Sequence, residues 1–332
     1  MLNHNSMGKV LLFGNGLNLL SHYLSWKDLL AQVQAKDENK LAVHDCLDLV
    51  DIPYPLQYDY MLLSSDFHQK VMTVKDNAGW KKVVEDRQFA LKKAICDEMK
   101  AFSPNAIYKQ LASLPFDAYL TTNYDHVLDV CLVDMGYQTA QSDKSETNYN
   151  IRRKRCLQKG SDVKTIYPIH GDMDNPRSIV IGYNHYCGTV AKISDYLKGN
   201  YKWKDGKDGE QKISSMLERL QNNDEKRYSW IDHIFMSDVY IVGLGLDYSE
   251  IDLWWLLDRR QRMVRGEGVM KQNKIVYFVT KDFKNLSPQE NAKVCLLERL
   301  GVQCRYTSIT PGNAKDYMAA YQEIVDMIEK EI

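Results

Sequence analysis

Four short stretches of this chain combine residue types and spacings that suit chemistry. Gly14-Asn15-Gly16 follows an apolar run. Glycines there let the backbone approach a diphosphate, and the next helix start supplies N–H donors and a favourable dipole. The third glycine of the full dinucleotide fingerprint is missing, so an ordinary tight turn fits the pair equally. Thr122-Asn123-Tyr124-Asp125 sets an amide and a carboxylate two residues apart. Such groups fix a carboxamide, ribose hydroxyls or a water by directed hydrogen bonds, and an Asx-turn at a helix start is the structural alternative. His170-Gly171 offers the best-placed general base, an imidazole that titrates near neutrality. His22, His68, His126, His185 and His233 have no comparable setting. Gly243-Leu244-Gly245 is a second glycine turn, suited to the other half of a dinucleotide.

These stretches need elements to hold them. Val10–Phe13, Ala118–Thr122, Thr165–Ile169, Asp238–Val242, Lys274–Thr280 and Cys304–Ile309 read as strands. Short apolar runs of this kind suit a parallel sheet buried on both faces. Helices are expected over Trp26–Ala35, much of Asp66–Phe102, Ala106–Leu114, His126–Met135, Ser249–Arg260, Gln289–Leu300 and Tyr317–Ile328. Ser249 is the expected N-cap of its helix, with Glu250 and Asp252 favouring the first turn. The segment with Pro53 and Pro55 is expected to be irregular, and Ser142–Lys164 a polar stretch whose run Arg152-Arg153-Lys154-Arg155 is a solvated face or loop. Between His185 and Arg227 a helix, an exposed loop and another helix are expected. Strands alternating with helices give an α/β fold: a Rossmann-like parallel sheet with helices on both faces. The expected organisation is one domain over residues 1–332, with a helical insertion at about 25–115 and a cap-like insertion at about 185–230.

The 332 residues are 44% hydrophobic and 26% charged, with a formal net charge of -1, values of a globular protein. That balance does not favour nucleic acid through bulk electrostatics. No apolar stretch approaches the ~20 residues that cross a bilayer, and the first residues are polar, so a cytoplasmic protein is expected. The seven cysteines include no CxxC pair, so no metal is expected.

Taken in order, Val10–Asn18 (VLLFGNGLN), Leu120–Asp125 (LTTNYD), Pro168–Gly171 (PIHG) and Val239–Leu246 (VYIVGLGL) resemble the SIR2-like, sirtuin-related family. The resemblance implies a pocket that takes NAD+ as substrate. It implies that Gly14, Asn15 and Gly16 line the dinucleotide, that Asn18 lies near its phosphates or ribose, and that Asp125 engages the nicotinamide carboxamide. Asn123 is then expected to orient the ribose or the attacking water, His170 to be the base, and Gly243 with Gly245 to follow the adenosine half. Deacylase sirtuins carry a four-cysteine zinc ribbon after the His-Gly pair, whereas this chain offers only Cys187 between His170 and Tyr240. Asn15 replaces the usual alanine, and the late glycine-serine turn has become Gly243-Leu244-Gly245. These departures are more similar to the divergent NAD-consuming members of bacterial antiphage defence. The expected activity is an NAD+ glycohydrolase giving nicotinamide and ADP-ribose. An NAD-dependent protein deacylase and a non-catalytic NAD- or ADP-ribose-binding subunit are the alternatives. Assembly into a homo-oligomer, with a regulatory or activating protein partner, is also expected of such an enzyme.

Overall fold

The computed structural model describes residues 7–22, 24–36, 52–63, 74, 76–142, 149–204, 209–266 and 273–332. Its main sheet is built from β1 (Gly8–Phe13), β2 (Ala118–Thr121), β3 (Gln138–Ser142), β4 (Arg155–Lys159), β5 (Asp162–Pro168), β8 (Ser237–Val242), β9 (Ile275–Val279) and β10 (Gln303–Tyr306). A separate hairpin joins β6 (Lys202–Lys204) to β7 (Glu210–Lys212). The eight strands lie in the order β10-β9-β8-β1-β2-β5-β4-β3. From β10 to β5 every neighbouring pair is parallel; β4 and β3 then extend the sheet in antiparallel fashion. The chain therefore runs from β1 to one side through β2 and β5, and returns to the other through β8, β9 and β10. The order reverses between β1 and β8, the switch point where open α/β sheets leave a crevice for ligands.

Side-chain alternation explains why both faces are covered. Val10 and Leu12 of β1 join a core with the Tyr183–Leu197, Trp230–Met236, Ile251–Gly266 and Pro288–Arg299 helices. Leu11 and Phe13 join the opposite core, with the Ala106–Ser113, Val127–Asp134 and Ala314–Glu329 helices. Val10 to Phe13 are each at most 2% exposed, and an aliphatic side chain so buried contributes about 1.5–3 kcal/mol. This is the expected Rossmann-like α/β architecture. A third cluster packs the Trp26–Lys36, Tyr54–Leu62 and Asn77–Met99 helices against Tyr124, Ile179 and Ile181. Parts of the expected 25–115 and 185–230 insertions, at 37–51, 64–73, 75 and 205–208, lie outside the described residues.

Several expectations are overturned. The Pro53–Pro55 segment is not irregular: Pro53 caps the Tyr54–Leu62 helix and Pro55 sits in its first turn, where a missing N–H costs nothing. The polar stretch before Lys164 carries β4 and the start of β5. Its basic run is not a solvated face, because Arg153 and Arg155 are buried and Arg152 lies over the Trp203 ring at 4.3 Å. Arg155 binds Asp129 at 2.7 Å and also pairs with Asp172, which is what allows a guanidinium to be buried. The exposed loop expected between His185 and Arg227 carries the β6–β7 hairpin, and the Trp230–Met236 helix was not anticipated. Ser249 does not cap its helix; the Asp247 carboxylate accepts from the Ser249 N–H (2.9 Å) and hydroxyl (2.5 Å) instead.

Candidate active site

The turns that end β1 and β8 interlock across the switch point. The Gly16 N–H donates to the Gly243 carbonyl at 2.7 Å, and Gly243 has φ +62. A Cβ on Gly16 would stand 2.7 Å from the Gly243 oxygen and 2.9 Å from its Cα. The glycine is thus required by the neighbouring turn as well as by any ligand. Gly14 faces Leu244 and Gly243 in the same way. Gly245 has open space around its Cα, and its carbonyl accepts from Lys293 Nζ at 2.8 Å.

Behind the first turn lies a buried amide and carboxylate network. Asn18 Nδ2 donates to Asp125 Oδ2 at 2.8 Å and to Asn15 Oδ1 at 3.0 Å. The Tyr108 hydroxyl donates to Asn18 Oδ1 at 2.8 Å and accepts from Asn123 Nδ2 at 3.3 Å. Asp125 Oδ1 accepts from the Val127 N–H at 3.0 Å, which ties β2 to the start of the next helix. Burial raises the Asp125 carboxyl, opposed by these donors and by Arg155. Burial, reinforced by Asp125, drives the Tyr108 phenol well above its ordinary range, so it stays a hydroxyl that can donate and accept.

His170 follows β5 and is 2% exposed. Its Nε2 meets Asp252 Oδ2 at 3.0 Å, and the Tyr186 ring stands edge-on at 5.4 Å. Burial works against the imidazolium, yet the Asp252 carboxylate, with Glu250 adding to it, raises the histidine above its ordinary value. Asp252 itself is fully buried, and its Oδ1 accepts from the Leu253 N–H at 2.9 Å. Burial pushes the neighbouring Glu250 carboxyl up to about 7.

A cleft of about 490 Å³ opens at these strand ends. The structure brings Asn15, Gly16, His170, Gly243 and Gly245 onto its wall, with Thr122 and Tyr124 from the end of β2. Gly14, Asn18, Asn123 and Asp125 sit behind that wall, in the interlocked turn and the amide network. The wall is stiffened by two phenols: Tyr124 donates to the Val180 carbonyl at 2.7 Å and Tyr277 to the Leu244 carbonyl at 3.1 Å. Asp252, Glu250, Tyr186 and Tyr108 were missed as site residues. The two acids were visible two positions apart just after a strand-end glycine turn, but were read as helix-dipole partners alone.

Asp172, two residues beyond His170, accepts from His126 at 2.9 Å and pairs with Arg155. Burial opposes its charge, but His126 and Arg155 hold the carboxyl well below its usual range. His126, Asp172 and Asp174 stand close enough to share a cation, yet the Arg155 guanidinium already neutralises Asp172. The arrangement is that of an ion-pair network which fixes the loop after His170. No helix among the described residues is long and apolar enough to cross a membrane.

A family model described as the SIR2-like domain matches residues 117–230, the stretch that carries Asn123, Asp125 and His170. Among curated proteins, the chain is similar to NAD(+) hydrolase ThsA of Cytobacillus dafuensis, 27% identical over 174 residues, 52% of this chain and 28% of the relative. It is also similar to NAD(+) hydrolase ThsA of Acinetobacter baumannii, 28% identical over 174 residues, which cover 29% of that protein. NAD(+) hydrolase ThsA of Enterococcus faecium is 33% identical over 98 residues, 28% of this chain and 19% of that protein. The chain thus spans less than a third of the length of these relatives. The match to the SIR2-like domain thus lies over the strand ends that carry Asn123 and His170, and residues 117–230 are similar to that family.

Proposed function

We propose that the protein is an NAD+ glycohydrolase that cleaves the nicotinamide–ribose bond, with nicotinamide and ADP-ribose as products. The observation that carries this reading is His170 on the wall of a cleft at the switch point of a Rossmann-like sheet, held from behind by the buried Asp252. The names of the similar proteins, NAD(+) hydrolases, support it. Nicotinamide leaves readily because its ring nitrogen is positively charged in the substrate, so no strong acid is needed. The protein has to hold the ribose for departure, stabilise an oxocarbenium-like centre and present one water. In this reading His170 takes the proton of the incoming water or of a ribose hydroxyl, and Asp252 orients the imidazole and stabilises it once protonated. Asn123 orients the ribose or the water, with Tyr108 holding its amide from behind. Asn15, Gly16 and Gly243 accompany the dinucleotide across the seam. Depletion of NAD+ in defence against phage, under control of a homo-oligomer or a protein partner, is the biological role that accords with this activity.

The test is product-resolved chromatography of NAD+ incubated with the purified protein and with Asn123→Ala and His170→Ala. Nicotinamide and ADP-ribose formed by the wild type and by neither variant are the expected result. A wild type that binds no NAD+ refutes the proposal.

A further inference from the structure

Glu250 stands at the end of the loop after β8 and lines the cleft. Its Oε2 is sealed from solvent and has no hydrogen-bond partner among the described residues. A buried carboxylate oxygen without a donor is unfavourable until a ligand supplies one, and native proteins leave few such atoms. His170 lies within electrostatic reach on the same wall. Its Nε2 faces Asp252 Oδ2 at 3.0 Å, and a carboxylate oxygen only accepts. In the neutral imidazole the proton is therefore on Nε2, and Nδ1 is left as an acceptor. The residues of this wall thus hold two acceptors from two elements, the unpartnered Glu250 oxygen and, in the neutral ring, His170 Nδ1. Their complement is a ligand with two adjacent donors, and a vicinal diol supplies two O–H groups on neighbouring carbons.

We propose that Glu250 is a ligand-contacting residue whose unpartnered oxygen, together with His170, reads the vicinal hydroxyls of a ribose. The inference rests on the reading of the cleft as an NAD+ site. It gives that site a specificity element supplied by the residue just before the Ile251–Gly266 helix.

Calorimetry on the full chain tests this with a carbocyclic NAD+ analogue, which resists cleavage, and with the same analogue lacking both hydroxyls of its nicotinamide-side ring. Wild type, Glu250→Ala and Glu250→Gln are compared, with thermal melting as the folding control. Glu250→Ala is expected to weaken the diol analogue by about tenfold or more and to leave the dideoxy analogue unchanged. Glu250→Gln, which keeps an accepting oxygen, should retain part of the affinity; if the alanine variant does not fold, the glutamine variant carries the comparison. Equal weakening of both analogues, or no weakening of either, overturns the role of Glu250 while wild-type binding upholds the NAD+ reading. A wild type that binds neither analogue overturns both.

Discussion

Replacing Asp252 by Asn keeps the shape behind His170 and removes the charge. The two side chains meet at 3.0 Å, with the carboxylate fully buried and the imidazole nearly so. At that separation and an effective dielectric of about 20, their gross attraction as ions is about 5–6 kcal/mol, before desolvation. The net value of a hydrogen bond to a charged partner is smaller, about 1.5–3 kcal/mol, which corresponds to roughly 10- to 100-fold. Asp252→Asn should therefore lower the rate of NAD+ cleavage by about one to two orders of magnitude, with a smaller change in KM. The sign on pH follows from the pair. Asp252 raises His170, so its removal leaves burial to push the histidine down. The acid limb of the rate profile should move to lower pH. Because the folded-state value is raised, the wild-type pair contributes stability below about pH 6.5 that fades as pH rises through the folded value. The variant should lose stability chiefly on the acid side. The assay pairs a pH–rate profile with nitrogen NMR of the imidazole, which reads tautomer and titration without turnover. A His170 resonance that titrates identically in both proteins would refute the argument.

Arg155→Met should destabilise the fold by about 3–5 kcal/mol in denaturant titration, because the buried Asp172 and the half-buried Asp129 would be left without their cation; Arg155→Lys should recover only part, having no fork to span both. Gly16→Ala should cost at least about 1–3 kcal/mol, read as a lowered melting temperature. Adding Tyr321→Phe should not restore it, since the Gly243 backbone remains in the way. Burial, with Lys92 adding to it, lowers His185 to about 3; burial, with Arg227 adding to it, does the same to His233. Stability held by these neutral rings is complete above about pH 6.5 and is lost as pH falls towards the folded value, by up to about 1.4 kcal/mol per pH unit for each. His126 and His170 are raised and act in the opposite sense. His233→Gln should therefore flatten the fall of unfolding free energy between pH 6 and 4 by about that slope, and an unchanged slope would remove His233 from the account.

The parallel strands were legible because a strand buried on both faces has to be apolar throughout, as Val10–Phe13 and Tyr240–Val242 are. The glycine turns and His170 were legible for the same reason, each standing where such a run stops. β3 gave no signal: Gln138–Ser142 carries little apolar material and lies at the sheet edge. Arg155 was misread because its burial depends on Asp129 and Asp172, partners 26 and 17 residues away that no local pattern connects to it. Asp252 was seen as a helix-start acid, and it does occupy that turn. Its second role arises only when β5 and β8 are brought into one sheet, with its histidine 82 residues earlier in the chain.

That separation has a consequence for the order in which the chain is made. His170 and the amide network belong to the stretch that leaves the ribosome first, while Glu250, Asp252 and the turn at Gly243 come later. Until β8 pairs with β1, the early stretch has an imidazole without its carboxylate and a glycine turn without its opposite wall. Construction of the cleft and closure of the sheet are one event. On the proposed reading, a partly synthesised or clipped chain that ends before β8 would lack a complete cleft, and NAD+ cleavage would wait until β8 has docked.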